Sequence, residues 1–460
     1  MKNEKTFWLL ALAFIIWQPV IDVLTSASLL LLNISLTVGV IVRVLFMAAL
    51  ALMLLWKARR SGLARKYIFY LIALAAVIVI NIALNVNIKD PYYIASELKF
   101  FNKIVYFPIM FIGFSMLYVY LKREHVPFKE KTTTYFLYAS LIISAVFIVS
   151  FITGTSLSNY SHTKIGFTGW FYAGNEIGAI MAIILPITAL YAIERTDHAR
   201  EWRYWIPFVL LAISMQFLGT KVGYGGILVV LLASFFSMLI LFFTKERTEK
   251  IRSNMLISLV LIAVLAVTTP ITPVFHNMFA HLSLLNIELD FGGKDKKIDP
   301  ETGEEEEEGQ EEEITNEQIQ NLVFSSREKY LQEMEYQFAE APMSQKLFGM
   351  GFAGNYEEPE PGKTPRMIEM DFFDLFFSLG IVGFLTMMSL PLYYVIRFLV
   401  HFVRNIKQTF TPVNVMYGVA FILGIGISAT AGHVLTAPAV SIYVASVMAL
   451  LMVREGIIEE

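Results

Sequence analysis

Along the chain, long apolar runs alternate with short polar clusters. The runs are near the roughly 20 residues a helix rising about 1.5 Å per residue needs to cross about 30 Å of hydrocarbon. Such runs cover 7–32, 34–56, 67–86, 104–121, 135–153, 171–193, 204–219, 225–243, 255–275, 372–396, 412–430 and 437–453. Lipid offers the backbone no hydrogen-bond partner, so each run is expected to be an α-helix. The pattern predicts an all-α polytopic integral membrane protein with about twelve transmembrane helices and a large loop between the ninth and tenth. The first run starts at Phe7 without a small-residue cleavage site, so it reads as a retained span. Only Asn33 and Ser35 offer a turn between the first two runs.

Charge then sets an orientation. Basic residues gather at Lys2/Lys5, Lys57–Lys66, Lys122–Lys131, Arg195–Arg203, Lys245–Arg252, Arg397–Lys407 and Arg454. With twelve spans all these clusters share one side, which the positive-inside rule makes cytoplasmic, with both termini there. The short loops of the other side hold only Lys89, Lys99 and Lys103 in one, Lys164 in another and Lys221 in a third. Three regions follow: spans one to nine in 1–275, an extracytoplasmic loop in 276–371, and the last three spans in 372–460. Within the loop, 290–317 reads DFGGKDKKIDPETGEEEEEGQEEEITNE. Like charge and few apolar residues make a solvated, unstructured insert the expectation. Calcium binding would need carboxylates at fixed geometry around a turn. From 319 to 340 the apolar positions Ile319, Leu322, Val323, Tyr330, Leu331, Met334 and Phe338 recur at helical spacing. They predict an amphipathic helix lying against the membrane domain.

Composition narrows the function classes. The 460 residues are 56% hydrophobic and only 16% charged, with net charge -3 and no cysteine. A soluble domain carries about 25% charged residues. No basic domain points to nucleic acid, and disulfide or thiolate chemistry is excluded, which fits a bacterial envelope protein. No metal-ligand spacing such as HExxH is present, and neither a metal nor a cofactor is expected.

Polar residues within apolar runs, or at their ends, are the candidates for chemistry. Arg43 lies inside VGVIVRVLFMAAL; it is either a structural partner of Asp22 in the neighbouring span or a cation lining a cavity for an anionic head group. In GFTGWFYAGNEIGAIMAIILP, residues 166–186, the glycines allow close backbone approach. Asn175 and Glu176 stand there at a span start, where Asn175 would also serve as a helix cap. Thr220 and Lys221 occupy the glycine turn GTKVGYGG, residues 219–226. Arg327 opens the amphipathic helix, where a cation is poorly placed against the helix dipole. Glu369, Asp371 and Asp374 crowd the start of a span, a position the dipole also favours for carboxylates. His433 lies in TAGHVLTAP, the last loop of the far side.

Taken together, four of these segments resemble the bacterial O-antigen ligase and O-antigen polymerase-like superfamily over roughly residues 160–385. The glycine-and-asparagine span start is similar to 166–186. GTKVG resembles the family's Ser/Thr-Arg-Gly turn, with Lys221 in the arginine's place. Ser326–Arg327 and Phe348–Gly351 resemble its serine-arginine helix start and Phe-Gly-x-Gly element. Leu379–Gly383 resembles its Leu-Gly-Ile-x-Gly ending, while Glu369 and Met370 replace its histidine and asparagine. The resemblance implies a membrane glycosyltransferase. The donor would be a polyprenyl-pyrophosphate-linked glycan, the acceptor a hydroxyl on a glycan or wall polymer, and the setting the outer face of the bacterial cytoplasmic membrane. Such chemistry needs cations for the leaving pyrophosphate and a base for the hydroxyl. Lys221 and Arg327 are the expected cations, with Arg43 and Lys103 as helpers. Glu369 is the expected base, and His433 a second candidate for it. Two other classes stay open: a transporter or flippase of lipid-linked glycans, and a non-catalytic subunit of an export complex. The two related halves common in secondary transporters are not visible in the sequence.

Overall fold

The structure, a computed structural model, describes residues 2–34, 36–160, 164–244, 247–284, 327–356 and 365–460. The acidic run 290–317 and the first part of the expected amphipathic helix, 319–326, lie outside them. The chain begins with α1 (Lys2–Leu30), α2 (Val38–Ala58), α3 (Gly62–Ile88), α4 (Ile94–Arg123) and α5 (Phe128–Ile152). A small antiparallel hairpin follows, β1 (Leu157–Ser158) with β2 (Phe167–Gly169). Next come α6 (Gly174–Arg195), a 3-10 segment (Ala199–Trp205), α7 (Ile206–Leu218), α8 (Lys221–Thr244), α9 (Glu249–Thr268) and α10 (Pro273–Leu284). After the long loop stand α11 (Arg327–Glu340), α12 (Met343–Phe348), α13 (Asp371–Arg404), α14 (Ile406–Thr409), α15 (Pro412–Thr430) and α16 (Pro438–Arg454).

Among the described residues, 10 helices are long and apolar enough to cross a membrane. Each of the remaining two apolar runs forms a shorter helix. α7 has 13 residues, bounded by Pro207 at its start and by Gly219 in the left-handed conformation at its end. α16 has 17, and every residue from Ala439 to Val453 is buried. A helix wrapped by protein on all sides need not match the bilayer's thickness. α4 and α6 are enclosed in the same way, with 83% and 89% of their most apolar windows buried, against 22% for α2 and 17% for α9. The bundle therefore has a protein-packed centre of α4, α6 and α16, and an outer ring that presents Leu45, Phe69, Val267 and Leu385 to lipid.

The basic clusters meet at one end of the bundle. Arg123 pairs with Glu460 at 2.8 Å, and Lys122 donates to Val453 O at 3.0 Å. Lys129 reaches Glu194, Lys250 reaches Asp197 at 3.0 Å, and Lys57 reaches Glu4. The opposite end carries the hairpin and α10–α12.

At that opposite end α13 is broken. Gly380 (φ 67, ψ -177) interrupts the helix, and the Phe348–Phe352 segment wedges against the break. Met350 N and Gly351 N donate to the Phe377 and Ser378 carbonyls at 2.9 and 3.0 Å. A Cβ on Gly349 would lie 2.1 Å from Ser378 O, and one on Gly380 2.4 Å from Gly349 N, so the two backbones touch where only glycine fits. Asn81 and Asn85, four apart on α3, donate to Gly349 O at 3.1 and 3.0 Å, and Asn81 also to Ser378 O at 2.9 Å. The fully buried pair Lys89–Glu97 completes the clamp. Lys89 Nζ donates to the Met350 and Phe352 carbonyls, and Phe352 N donates to Glu97 Oε2 at 2.7 Å. Backbone groups that the broken helix would leave bare thus find partners. α11 packs Met334, with Leu331 and Phe338 beside it, onto a small core of Met350, Ile368, Met370 and Phe377 that is separate from the main one.

Candidate active site

A cavity of about 770 Å³ opens between α1, α2, α4, α6 and the start of α16. Its polar wall carries Asp22, Arg43, Lys99, Asn102, Lys103 and Glu176, and its rim carries Leu36, Val40, Val44 and Leu98, all exposed. Val40 and Val44 on α2 and Leu98 on α4 belong to membrane-spanning helices, so on their side the cavity opens towards lipid. Arg43 is held by both neighbours that α1 offers: its Nε donates to Gln18 Oε1 at 3.0 Å, and its Nη2 donates to Asp22 Oδ1. The two sequence readings of Arg43 are therefore not exclusive, because it is paired with Asp22 and also lines the cavity.

A second charged group gathers at the head of α13. Arg327 Nη2 lies 3.2 Å from Glu369 Oε2, and His433 Nε2 lies 3.5 Å from the same oxygen. Three distant parts of the chain meet there. Glu369 (φ 66) and His433 (φ 60) both adopt the left-handed conformation that non-glycine residues avoid. Gly432, next to His433, packs directly on the Glu369 turn: a Cβ there would stand 2.3 Å from Glu369 O. Asp371, buried, fixes the His433 loop. It accepts from His433 N at 3.1 Å, from Val434 N and Leu435 N at 2.8 Å, and from the Ser428 and Thr436 hydroxyls. Asp374 accepts from Ile368 N and Met370 N at 2.9 and 3.1 Å and so caps the turn that carries Glu369.

Proton affinities follow from these contacts. The His433 hydrogen bond, helped by the charge of Arg327, holds Glu369 below its ordinary carboxylate value against the opposing effect of burial. The same bond raises His433 above 6.5, again against burial, with the charges of Glu176 and Asp371 adding to it. Glu176, whose charge reaches His433, also lines the cavity, as do Pro438 and Ala439 at the start of α16, just after the His433 loop.

Other sequence candidates stand apart. Asn175 is exposed and does not cap α6; the cap position is Ala173, with no side-chain bond. Thr220 Oγ1 accepts from Gly223 N at 3.0 Å and so caps the start of α8. Lys221 is the first residue of α8, and its charged neighbour is Lys164. Its turn meets α6 at Gly178, where a Cβ would contact Leu218 and Thr220. Gly178 lies roughly opposite the face of α6 that bears Glu176, Ile177 and Ile180, which line the cavity. Asn277 from α10 pins the turn by donating to Gly219 O at 2.8 Å and to Ile165 O at 2.6 Å. The sequence reading missed Asn277, Asn81, Asn85, Lys89 and Glu97. Two asparagines spaced by four in an otherwise apolar span were the available signal for the α3 pair. Among the described residues no group of three or more His, Asp or Glu is placed to hold a metal.

Fold and site together define a multi-pass helical membrane protein with a charged cavity and a charged cluster at one end of its bundle. Residues 3–457 match the family described as O-antigen ligase like membrane protein, and the chain belongs to that family. Membership supports a ligase- or polymerase-like role in glycan assembly. No curated protein matches the chain.

Proposed function

We propose that the protein transfers a glycan from a polyprenyl-pyrophosphate carrier to a hydroxyl acceptor at the outer face of the bacterial cytoplasmic membrane. The observation that carries this reading is the meeting of Arg327, Glu369 and His433 beside a lipid-open cavity that holds Arg43 and Lys103. The isoprenoid tail stays in lipid at the rim formed by Leu36, Val40, Val44 and Leu98, and the pyrophosphate lies towards the cations. The acceptor oxygen attacks the anomeric carbon, the bond from that carbon to the phosphate oxygen breaks, and its electron pair leaves with the polyprenyl pyrophosphate. Arg327, helped by Arg43 and Lys103, stabilises the charge on that leaving group. Glu369 and His433 act as one base. The carboxylate favours a proton on the imidazole, and the hydroxyl proton passes to the pair. Lys221 is a further phosphate-binding candidate from the other face of α6, Glu176 sets the field between cavity and base, and Asp371 and Asp374 position the two base residues. The test is purified protein given a polyprenyl-pyrophosphate glycan and a glycan acceptor, without another enzyme. Release of polyprenyl pyrophosphate with transfer of the glycan is expected. An intact donor under all conditions, with the protein instead moving it across a vesicle bilayer, would replace transfer by transport.

A further inference from the structure

One face of α4 turns into the cavity. Lys99, Asn102, Lys103 and Tyr106 all line it, and their spacing of three, four and seven residues from Lys99 makes them one stripe about 10 Å long. Among the described residues, Lys99, Asn102 and Lys103 meet no hydrogen-bond or ion-pair partner. The Tyr106 hydroxyl is buried and likewise unpartnered, as is Asp22 Oδ2 on α1. Polar groups left unmet on the wall of a membrane cavity are costly unless a ligand or water meets them. Lys99 lies nearest the outer end of the stripe and Tyr106 deepest. At the same outer end stands Tyr172, which also lines the cavity and is 59% exposed. Its place is fixed by its neighbours. Phe171 beside it is buried, Tyr172 N donates to Ser26 Oγ on α1 at 2.8 Å, and α6 begins two residues later. The ring is thus held at the lip of the cavity between α1 and α6.

We infer that Tyr172 and Asn102 form the subsite for the sugar bonded to the donor's pyrophosphate, so that this first sugar decides which lipid-linked glycans are used. This rests on the transferase reading above. Tail, pyrophosphate and sugar are bonded in that fixed order. With the tail at the lipid-facing rim and the pyrophosphate at Arg43 and Lys103, the Tyr106 hydroxyl donates to a phosphate oxygen. The sugar then extends towards the outer end, where Asn102 and Tyr172 stand, with Lys99 a turn further out. An amide donates and accepts at once, which matches adjacent sugar hydroxyls or an acetamido group. The exposed ring offers a flat apolar surface to the C–H face of a pyranose. Neither group suits a further phosphate, which calls for a cation. Glu176 and Ala439 border the same cavity, so a sugar held there has the His433 loop on one side, where its anomeric carbon meets the acceptor.

The test is equilibrium binding to the full chain in detergent, read by displacement of radiolabelled farnesyl pyrophosphate. The competitors are unlabelled farnesyl pyrophosphate and farnesyl pyrophosphate carrying one glucose, galactose or N-acetylglucosamine. At least one glycosylated lipid is expected to bind about tenfold more tightly than the bare pyrophosphate, the scale of one ring contact with one hydrogen bond. Tyr172→Ala and Asn102→Ala are each expected to remove most of that preference while farnesyl pyrophosphate binds within about twofold of its native affinity. Tyr172→Phe is expected to keep the preference, because the ring and not its hydroxyl is used. Lys103→Ala is expected to weaken all the lipids alike. If none of the three sugars improved binding to the native protein, the proposal would be overturned. Equal weakening of bare and glycosylated lipids by Tyr172→Ala would overturn it too, and would make the ring an interfacial anchor. Glycan transfer without sugar-dependent binding would sink the subsite alone. Sugar-dependent binding lost in Tyr172→Ala, with a polyprenyl-pyrophosphate glycan never consumed, would uphold the subsite and count against the transferase reading.

Discussion

At Glu369 two partners compete for one oxygen. Arg327 approaches Oε2 at 3.2 Å and His433 at 3.5 Å, and the carboxylate is held in its acidic range while the imidazole is made more basic. Two opposite pH dependences follow. The contribution of Glu369 to stability is present above its ordinary 4.5 and is lost as pH falls through its lowered folded value. That of His433 is present below 6.5 and is lost as pH rises through its raised folded value. The contact is strongest between those limits, but a base must be free of its proton. Transfer is therefore expected to rise with pH through an apparent pKa above 6.5, and Glu369→Gln to move that rise to lower pH. A rate profile across this range checks both, and an unchanged profile in the variant would separate Glu369 from proton transfer. Arg327→Ala is expected to lower turnover about 10²–10³-fold, as removal of one electrostatic donor does, with protein still accumulating in the membrane. Lys221→Ala tests the cation across α6 in the same assay. Lys221→Arg is expected to keep part of the activity, because it restores the residue that the resembled turn carries.

Among the elements, the break in α13 is the most specific contact in the fold. Its two halves come from different sequence elements, Phe348–Gly351 and Leu379–Gly383, and neither by itself says that it packs on the other. Their contact is tertiary, across a span of chain that no periodicity covers. The apolar runs were legible for the opposite reason, since hydrocarbon thickness fixes their length. The full burial of α16 was not, because it depends on neighbours. In the same way, Arg43 and Asp22 could be paired from adjacent spans, while the meeting of Arg327, Glu369 and His433 could not, because long-range folding alone joins them. Gly380→Ala places a side chain at φ 67, ψ -177, a region essentially reserved for glycine. Strain alone is expected to cost about 1–3 kcal/mol, read as a lower thermal midpoint in detergent and faster proteolysis around α11. Gly418→Ala is the control, since a Cβ there meets nothing within 4 Å. Comparable damage from both would mean that Gly380 is no special joint. Asp371→Ala strips the buried backbone N–H groups of Val434 and Leu435 of their acceptor, each at about 1–3 kcal/mol, and is expected to lower the yield of folded protein where Asp371→Asn keeps part of it.

For the whole molecule, the question is which end faces the cytoplasm. Contacts such as Arg123–Glu460, Lys129–Glu194 and Lys250–Asp197 tie the basic clusters into one end, while Arg327, Glu369 and His433 lie at the other. Both α7 and α16, though short, carry the chain from one end to the other. The polypeptide thus traverses the bundle an even number of times, with both termini at the basic end. From the positive-inside rule we propose that this end is cytoplasmic and the site lies outside, where the proposed transfer would meet its lipid-linked donor. The chain has no cysteine, so single cysteines read this without background. Cysteines at Gly62, Lys129 and Lys250 are expected to be shielded from an impermeant thiol reagent in intact cells, and those at Ser158 and Glu340 to be labelled. Labelling at Gly62 with none at Ser158 would turn the molecule over. It would place Arg327, Glu369 and His433 on the cytoplasmic side, and the donor would then have to be used before it crosses the membrane.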